Sequence, residues 1–173
     1  AGNVLTFDLV AIDASSPLTG TLPIRGSQIT MNTSLTIGDV TLTRGVNDPG
    51  ASATSSKRSI GDTAYKFASL RLTAGAAEDL NIKSVSWYQA GSIGSADLGN
   101  VKIVLADKEY PATVSSDGKY YSADFKGVAL LKGAQTELYI KGDLVSGTNR
   151  DVEFQLFRDT DLDIVGKQFA FGL

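Results

Sequence analysis

Cysteine and histidine are both absent from the 173 residues of this chain. Without cysteine there can be no disulfide, no iron–sulfur cluster and no thiol nucleophile. Without histidine the chain lacks the commonest general base and the commonest transition-metal ligand, so a serine–histidine triad cannot be built. A chain of this length buries roughly two-thirds of the surface that it exposes when unfolded, so it can fold without disulfides or metal clusters. We therefore expect a domain that is not an enzyme.

Positive charge and long apolar runs are also scarce. The formal net charge is -3, so no positive field draws the chain towards phosphate backbones, and we expect no nucleic-acid partner. No apolar run approaches the ~20 residues that cross a bilayer, and no segment has the form of a signal peptide. We expect no membrane span.

Apolar residues recur at every second position along much of the chain. Leu5, Phe7 and Leu9 fall on one face of the first extended segment, with polar residues between them. Ser116-Asp117-Gly118 has the composition of a tight hairpin turn. No segment sustains helical periodicity for three turns. The sequence predicts an all-β fold, an antiparallel Ig-like β-sandwich of Greek-key type with almost no helix.

The two ends of the chain resemble each other. Residues 3–10 align with residues 150–157, so that Phe7 matches Phe154. We predict an N-terminal strand arm or linker over residues 1–27 and a sandwich over residues 28–173. The arm would supply the closing strands of a preceding repeat, or donate a strand to a neighbour's sheet edge. The alternative is that the arm pairs within its own sandwich.

The donated or joining face of this arm is predicted to consist of Leu5, Phe7 and Leu9, which makes these three residues the candidate interface. Strand exchange of that kind builds open-ended filaments and lattices, because a head-to-tail contact does not close on itself. The partners expected on this interpretation are copies of the same chain or adjacent repeats.

Five short segments, spread from residue 23 onward, carry a family resemblance. They are PIRGSQI (23–29), FASLRLTA (67–74), EDLNIKSV (78–85), ADLGNVKI (96–103) and KGAQTEL (132–138). They resemble the β-sandwich repeats of large secreted bacterial surface proteins of the S-layer-like kind. The resemblance implies a location outside the cell, on its surface, a tandem arrangement and a structural role. It brings no catalytic residue and no cofactor.

Asp159, Asp161 and Asp163 form the sharpest acidic cluster, with a carboxylate at every second position. Such a loop is a candidate Ca²⁺ site. The helix–loop–helix calcium pattern is not met, because Ile164 stands where that pattern has glycine. The alternative is an acidic turn whose aspartates accept backbone N–H groups.

Other segments carry weaker signals. Trp87, the only tryptophan, forms either a sugar platform with Tyr88 or part of the core. The polar stretch 45–62 is either a functional loop or a plain surface loop. Glu78 and Asp79 indicate an exposed turn, with an added ligand as the alternative. Lysine–asparagine isopeptide bonds can staple cysteine-free surface domains, but no spacing in the chain singles out a pair.

These observations lead to two expectations. The first is a non-enzymatic structural subunit or repeat of an extracellular surface assembly, an S-layer or a filament of pilus type, joined to its neighbours by end strands. The alternative is a cell-surface adhesin or carbohydrate-binding β-sandwich module that binds glycans.

Overall fold

The computed structural model describes residues 3–17, 19–31, 35–51 and 57–173. The chain divides into two units, Ala1–Thr36 and Ile37–Leu173. The boundary predicted after residue 27 falls within the first of these units.

The first unit is a two-stranded antiparallel ribbon. Its short strands are β1 (Val4–Leu5), β2 (Asp8–Leu9), β3 (Ile24–Arg25) and β4 (Ile29–Thr30). β1 pairs with β4, and β2 pairs with β3. Leu5 lies opposite Ile29 and Leu9 lies opposite Ile24, so the returning strand has one more residue between the two ladders. This extra residue is a β-bulge, which increases the local twist of the ribbon.

Gly26 lies at this bulge and holds the two strands together. Its backbone N–H donates a hydrogen bond of 3.0 Å to the carbonyl oxygen of Phe7. A Cβ atom on Gly26 would lie 2.3 Å from that oxygen, so only glycine allows the approach.

The second unit contains ten strands and, in the described ranges, no α-helix. The strands are β5 (Val40–Arg44), β6 (Tyr65–Ala74), β7 (Leu80–Gln89), β8 (Leu98–Leu105), β9 (Lys108–Pro111), β10 (Thr113–Val114), β11 (Tyr120–Leu130), β12 (Gln135–Leu144), β13 (Phe154–Gln155) and β14 (Leu162–Gly166). Short 3-10 turns occupy Pro49–Ala51, Ser95–Asp97 and Asp159–Asp161. Nothing helical in these ranges has the length and apolar character needed to cross a membrane.

The ten strands form two antiparallel sheets. The first has the order β5-β6-β12-β8-β9, and the second has the order β10-β11-β7, with β13 and β14 pairing one after the other along the far edge of β7. The chain crosses from one sheet to the other between β6 and β7, between β7 and β8, between β9 and β10, between β11 and β12, and between β12 and β13. The all-β antiparallel sandwich predicted from the alternating pattern is therefore confirmed.

The core lies between the two sheets and is built from alternate residues of each strand. Side chains with almost no exposure come from both layers, and the large ones include Leu72, Leu138, Ile140, Ile82, Trp87 and Tyr121. The Phe154 ring bridges the layers, because its centroid lies 5.5 Å from that of Phe67 and 5.1 Å from that of Tyr121. Each such side chain contributes roughly 1.5–3 kcal/mol on burial, so this layer dominates the stability of the unit.

Glu78 is buried at one end of the sandwich, so the exposed turn predicted for it is wrong. Its carboxylate accepts backbone N–H groups from Gly38 (2.9 Å), Gln168 (2.7 Å) and Phe169 (3.2 Å). Burial raises the pKa of Glu78, but these three hydrogen bonds outweigh it and the net shift is downward. The carboxylate thereby joins the segments before β5 and after β14 to the start of β7.

Candidate functional site

The ribbon presents an uncovered apolar face. Leu5 is 43% exposed, Phe7 is 74% exposed and Leu9 is 45% exposed. Alternation along the strand places these three on one face. Ile29 and Ile24, their cross-strand partners, are also exposed. The three residues predicted as the interface are thus part of a five-residue apolar surface, which we call the ribbon face.

The opposite side of the ribbon carries an ion pair, which lies between the exposed residues Val4 and Val10. Asp8 and Arg25 are paired across the ladder, and Arg25 Nε lies 3.6 Å from Asp8 Oδ2. Such an exposed ion pair contributes little to stability. A two-stranded ribbon is only marginally stable in water. The ion pair and the ladder hydrogen bonds therefore do not offset the free-energy cost of leaving the ribbon face exposed to water. Apolar patches of this kind mark interaction surfaces.

A second exposed apolar feature lies on the outer face of the second sheet. The ring centroid of Tyr88 lies 5.2 Å from that of Tyr120 and 5.2 Å from that of Phe157. Tyr88 and Tyr120 are direct cross-strand neighbours in β7 and β11. Phe157 is 60% exposed, so the set, which we call the aromatic row, offers ring surface to solvent.

Trp87 lies in the core and not in the aromatic row. It is 1% exposed, because the neighbouring positions of β7 point to opposite faces of the sheet. The core role that the sequence left open for this tryptophan is therefore the one it has.

The three predicted calcium ligands are used differently from one another. Asp161 is buried in the 3-10 turn, and its Oδ2 accepts the backbone N–H groups of Phe157 and Arg158, both at 2.8 Å. Asp159 and Asp163 are exposed. Across residues 3–17, 19–31, 35–51 and 57–173, no three acidic side chains come together as a group able to hold a metal ion. Asp161 thus has the backbone-bonding role that was the alternative to calcium.

A cleft of about 340 Å³ opens along the seam between β5 of one sheet and β13 of the other. Its apolar lining includes Leu42, Leu70 and Leu156, with Trp87 and Phe154 among the residues that line it. Within the described ranges, β5 pairs only with β6, so its other edge is open. We call this region the seam.

The predicted loop 45–62 is anchored at its start, and residues 52–56 lie outside the described residues. The side chain of Asn47 contacts Lys66 and Glu137. This polar cluster was missed from the sequence, because Asn47 and Glu137 are 90 positions apart. The only local signal was the turn composition that begins at Asn47.

The chain matches no family model, no curated protein and no solved structure. Its function is therefore inferred from the geometry of the ribbon face, the aromatic row and the seam.

Proposed function

We propose that this chain is a non-enzymatic structural subunit or repeat of an extracellular surface assembly, an S-layer or a filament. The ribbon of one copy joins it to the next. The observation that carries the proposal is the ribbon face, in which five large apolar side chains are exposed on a two-stranded ribbon. An isolated two-stranded ribbon is stable only when another surface packs against its apolar face.

The seam is the surface that best fits the ribbon. Apolar side chains line the cleft, and the unpaired edge of β5 lies beside them. An added strand would extend the first sheet by main-chain hydrogen bonds, while alternate side chains such as Phe7 would enter the seam. Because the ribbon and the seam are different surfaces, the contact is head-to-tail and propagates into an open-ended polymer.

Two further considerations support a structural role outside the cell. The chain has neither histidine nor cysteine, which removes the commonest residues of general-base and thiol chemistry. The location on the cell surface rests on the resemblance of five segments to repeats of secreted surface proteins.

A single labelled cysteine tests the proposal, since the natural chain has none. Phe7→Cys carrying a polarity-sensitive dye should shift to shorter emission wavelength as protein concentration rises, because the ribbon face becomes buried between copies. Leu131→Cys is the matched control, since Leu131 is an exposed apolar residue of the second unit. An emission spectrum at position 7 that stays constant with concentration would contradict the proposal.

The aromatic row supports a second candidate function, a carbohydrate-binding adhesin. Sugar rings stack on exposed aromatic faces, and three adjacent rings give a platform for such stacking. Binding on a glycan array that is lost in Tyr88→Ala and Phe157→Ala, and retained in Leu131→Ala, would favour this function. No binding by the natural chain to any glycan would remove it.

A further inference from the structure

An asparagine amide is held between a lysine amine and a glutamate carboxylate on the first sheet. Asn47 lies in the turn after β5, Lys66 lies in β6, and Glu137 lies in β12, which is hydrogen-bonded to β6. Lys66 Nζ donates a hydrogen bond to Asn47 Oδ1, and Asn47 Nδ2 donates one to Glu137 Oε2 at 2.5 Å. The amide is thus contacted by a nucleophile on one side and by a proton-transfer group on the other.

The turn that carries Asn47 is fixed on the sheet by several other contacts. The Asn47 backbone N–H donates to Glu137 Oε1 at 2.9 Å, and the buried Ser69 hydroxyl donates to the same oxygen at 2.6 Å. Gly45 allows the close approach, since a Cβ there would lie 2.1 Å from Ser69 Oγ. Asn47 and Glu137 are therefore held in one arrangement.

We propose that Lys66 and Asn47 form an intramolecular isopeptide bond, with Glu137 as the proton-transfer residue. A hydrogen bond from Nζ to Oδ1 brings the amine within about 4 Å of the amide carbon, since the C=O bond is ~1.2 Å long. This is close to the separation of reacting atoms in a near-attack arrangement.

The reaction balances with solvent water as the only other proton carrier. The Lys66 ammonium gives one proton to water, and the neutral amine adds its electron pair to Asn47 Cγ while the carbonyl π pair moves to Oδ1. Glu137, which contacts Nδ2, takes a proton from the newly attached nitrogen and passes it to Nδ2. The C–Nδ2 bond then breaks as the carbonyl re-forms, the released ammonia takes up the proton held by water and leaves as ammonium, and Glu137 ends as a carboxylate.

The surroundings of the cluster keep Glu137 ionised. Burial raises the pKa of Glu137, but hydrogen bonds from Ser69 and Asn47 and the charge of Lys66 outweigh it, so the net shift is downward. The carboxylate is therefore ionised before reaction, and the downward shift makes it a weaker base than an ordinary glutamate, so it serves to pass a proton on rather than to hold one. Lys66 is half-buried, and its Nζ lies 5.1 Å from the centroid of the Tyr139 ring.

The bond would give this cysteine-free sandwich a covalent cross-link. It would join the turn after β5 to β6 and close a ring from residue 47 to residue 66. That ring includes the small polar stretch that precedes β6. The cross-link is independent of assembly through the ribbon, and each can exist without the other.

Intact-mass measurement of the denatured full-length chain tests the bond directly. The natural chain should be lighter than its encoded mass by one ammonia molecule. After tryptic digestion, residues 45–57 should be recovered linked to residues 59–71, since an acylated Lys66 is no longer a cleavage site. A natural chain of full encoded mass would overturn the proposal.

Two variants and one control identify the source of any mass deficit. Lys66→Arg keeps the positive charge but removes the primary amine, and Glu137→Gln keeps hydrogen-bonding capacity but removes the base, so both should show the full encoded mass. Glu109→Gln is the matched control, because Glu109 pairs with Lys102 and Lys141 elsewhere on the sheet and should leave the deficit unchanged. A deficit that persists in Lys66→Arg would arise from another reaction of asparagine and would overturn the proposal.

Discussion

Replacing the apolar residues of the ribbon face by serine should abolish self-association without unfolding the sandwich. The triple variant Leu5→Ser, Phe7→Ser and Leu9→Ser removes three of the five exposed side chains of that face. It leaves the Asp8–Arg25 pair and the core of the second unit unchanged.

The size of the effect follows from the exposed fractions. Complete burial of one large apolar side chain stabilises by about 2.5 kcal/mol. Weighted by exposures of 43%, 74% and 45%, burial of the three on assembly would contribute about 4 kcal/mol, or about a thousandfold in Kd. The entropic cost of association is common to the natural chain and the variant, so it largely cancels in this difference.

Sedimentation velocity over a range of protein concentrations measures the effect. The natural chain should form assemblies that grow with concentration, and the triple variant should sediment as a monomer at concentrations about a hundredfold to a thousandfold higher. Leu131→Ser is the control, and its sedimentation should match that of the natural chain. If the triple variant and the natural chain sediment alike, the ribbon face does not join copies.

Three further predictions concern single residues. Gly26→Ala should weaken assembly, because its Cβ would meet the Phe7 carbonyl oxygen at 2.3 Å and distort the ribbon; unchanged sedimentation of this variant would show that the approach is not needed. Leu138→Ala should lower the free energy of unfolding by about 2–5 kcal/mol in urea titrations, since the side chain is fully buried; a loss below about 0.5 kcal/mol, typical of a surface position, would contradict its place in the core. Glu78→Gln should lower the melting temperature at neutral pH. The pKa of Glu78 in the folded chain is held below its ordinary value of 4.5. The ionised carboxylate therefore stabilises the fold above pH 4.5, and this stabilisation is lost as the pH falls from 4.5 through the folded pKa. The difference in melting temperature between the two proteins should therefore narrow below pH 4.5, and a constant difference down to pH 3 would refute this role.

The β-sandwich could be predicted from the sequence because apolar residues recur at every second position in its core strands. In β7 this alternation shifts phase once, at Lys83–Ser84, and in β12 the buried positions alternate from Leu138 onward. A period of two is a local property, so it needs no knowledge of which strands pair. The apolar face of the ribbon was predicted for the same reason, since Leu5, Phe7 and Leu9 occupy every second position of one extended segment.

Features that depend on strand register could not be predicted in this way. The aromatic row requires Tyr120 to lie beside Tyr88, which only the pairing of β11 with β7 decides. The backbone donors that surround the buried Glu78 carboxylate lie 40 and 90 positions away in the sequence, so no local pattern indicates them. From its polar composition alone, this segment was predicted to be an exposed turn.

The aspartate cluster shows how one spacing serves two different structures. Carboxylates at every second position suit a cation only if the loop turns all three inward. Here the chain forms a 3-10 turn at Asp159–Asp161, and Asp161 instead accepts two backbone N–H groups. The same residue types and spacing fit both a cation loop and a turn held by backbone hydrogen bonds, and Asp161 makes the backbone contacts of such a turn.

Negative-stain electron microscopy of the purified chain shows whether its copies join into ordered assemblies. We expect ordered polymers, either filaments or sheets, with the subunit contact made by the ribbon face. A field that contains only dispersed monomers at every concentration would contradict the claim that this chain is built to join its own copies.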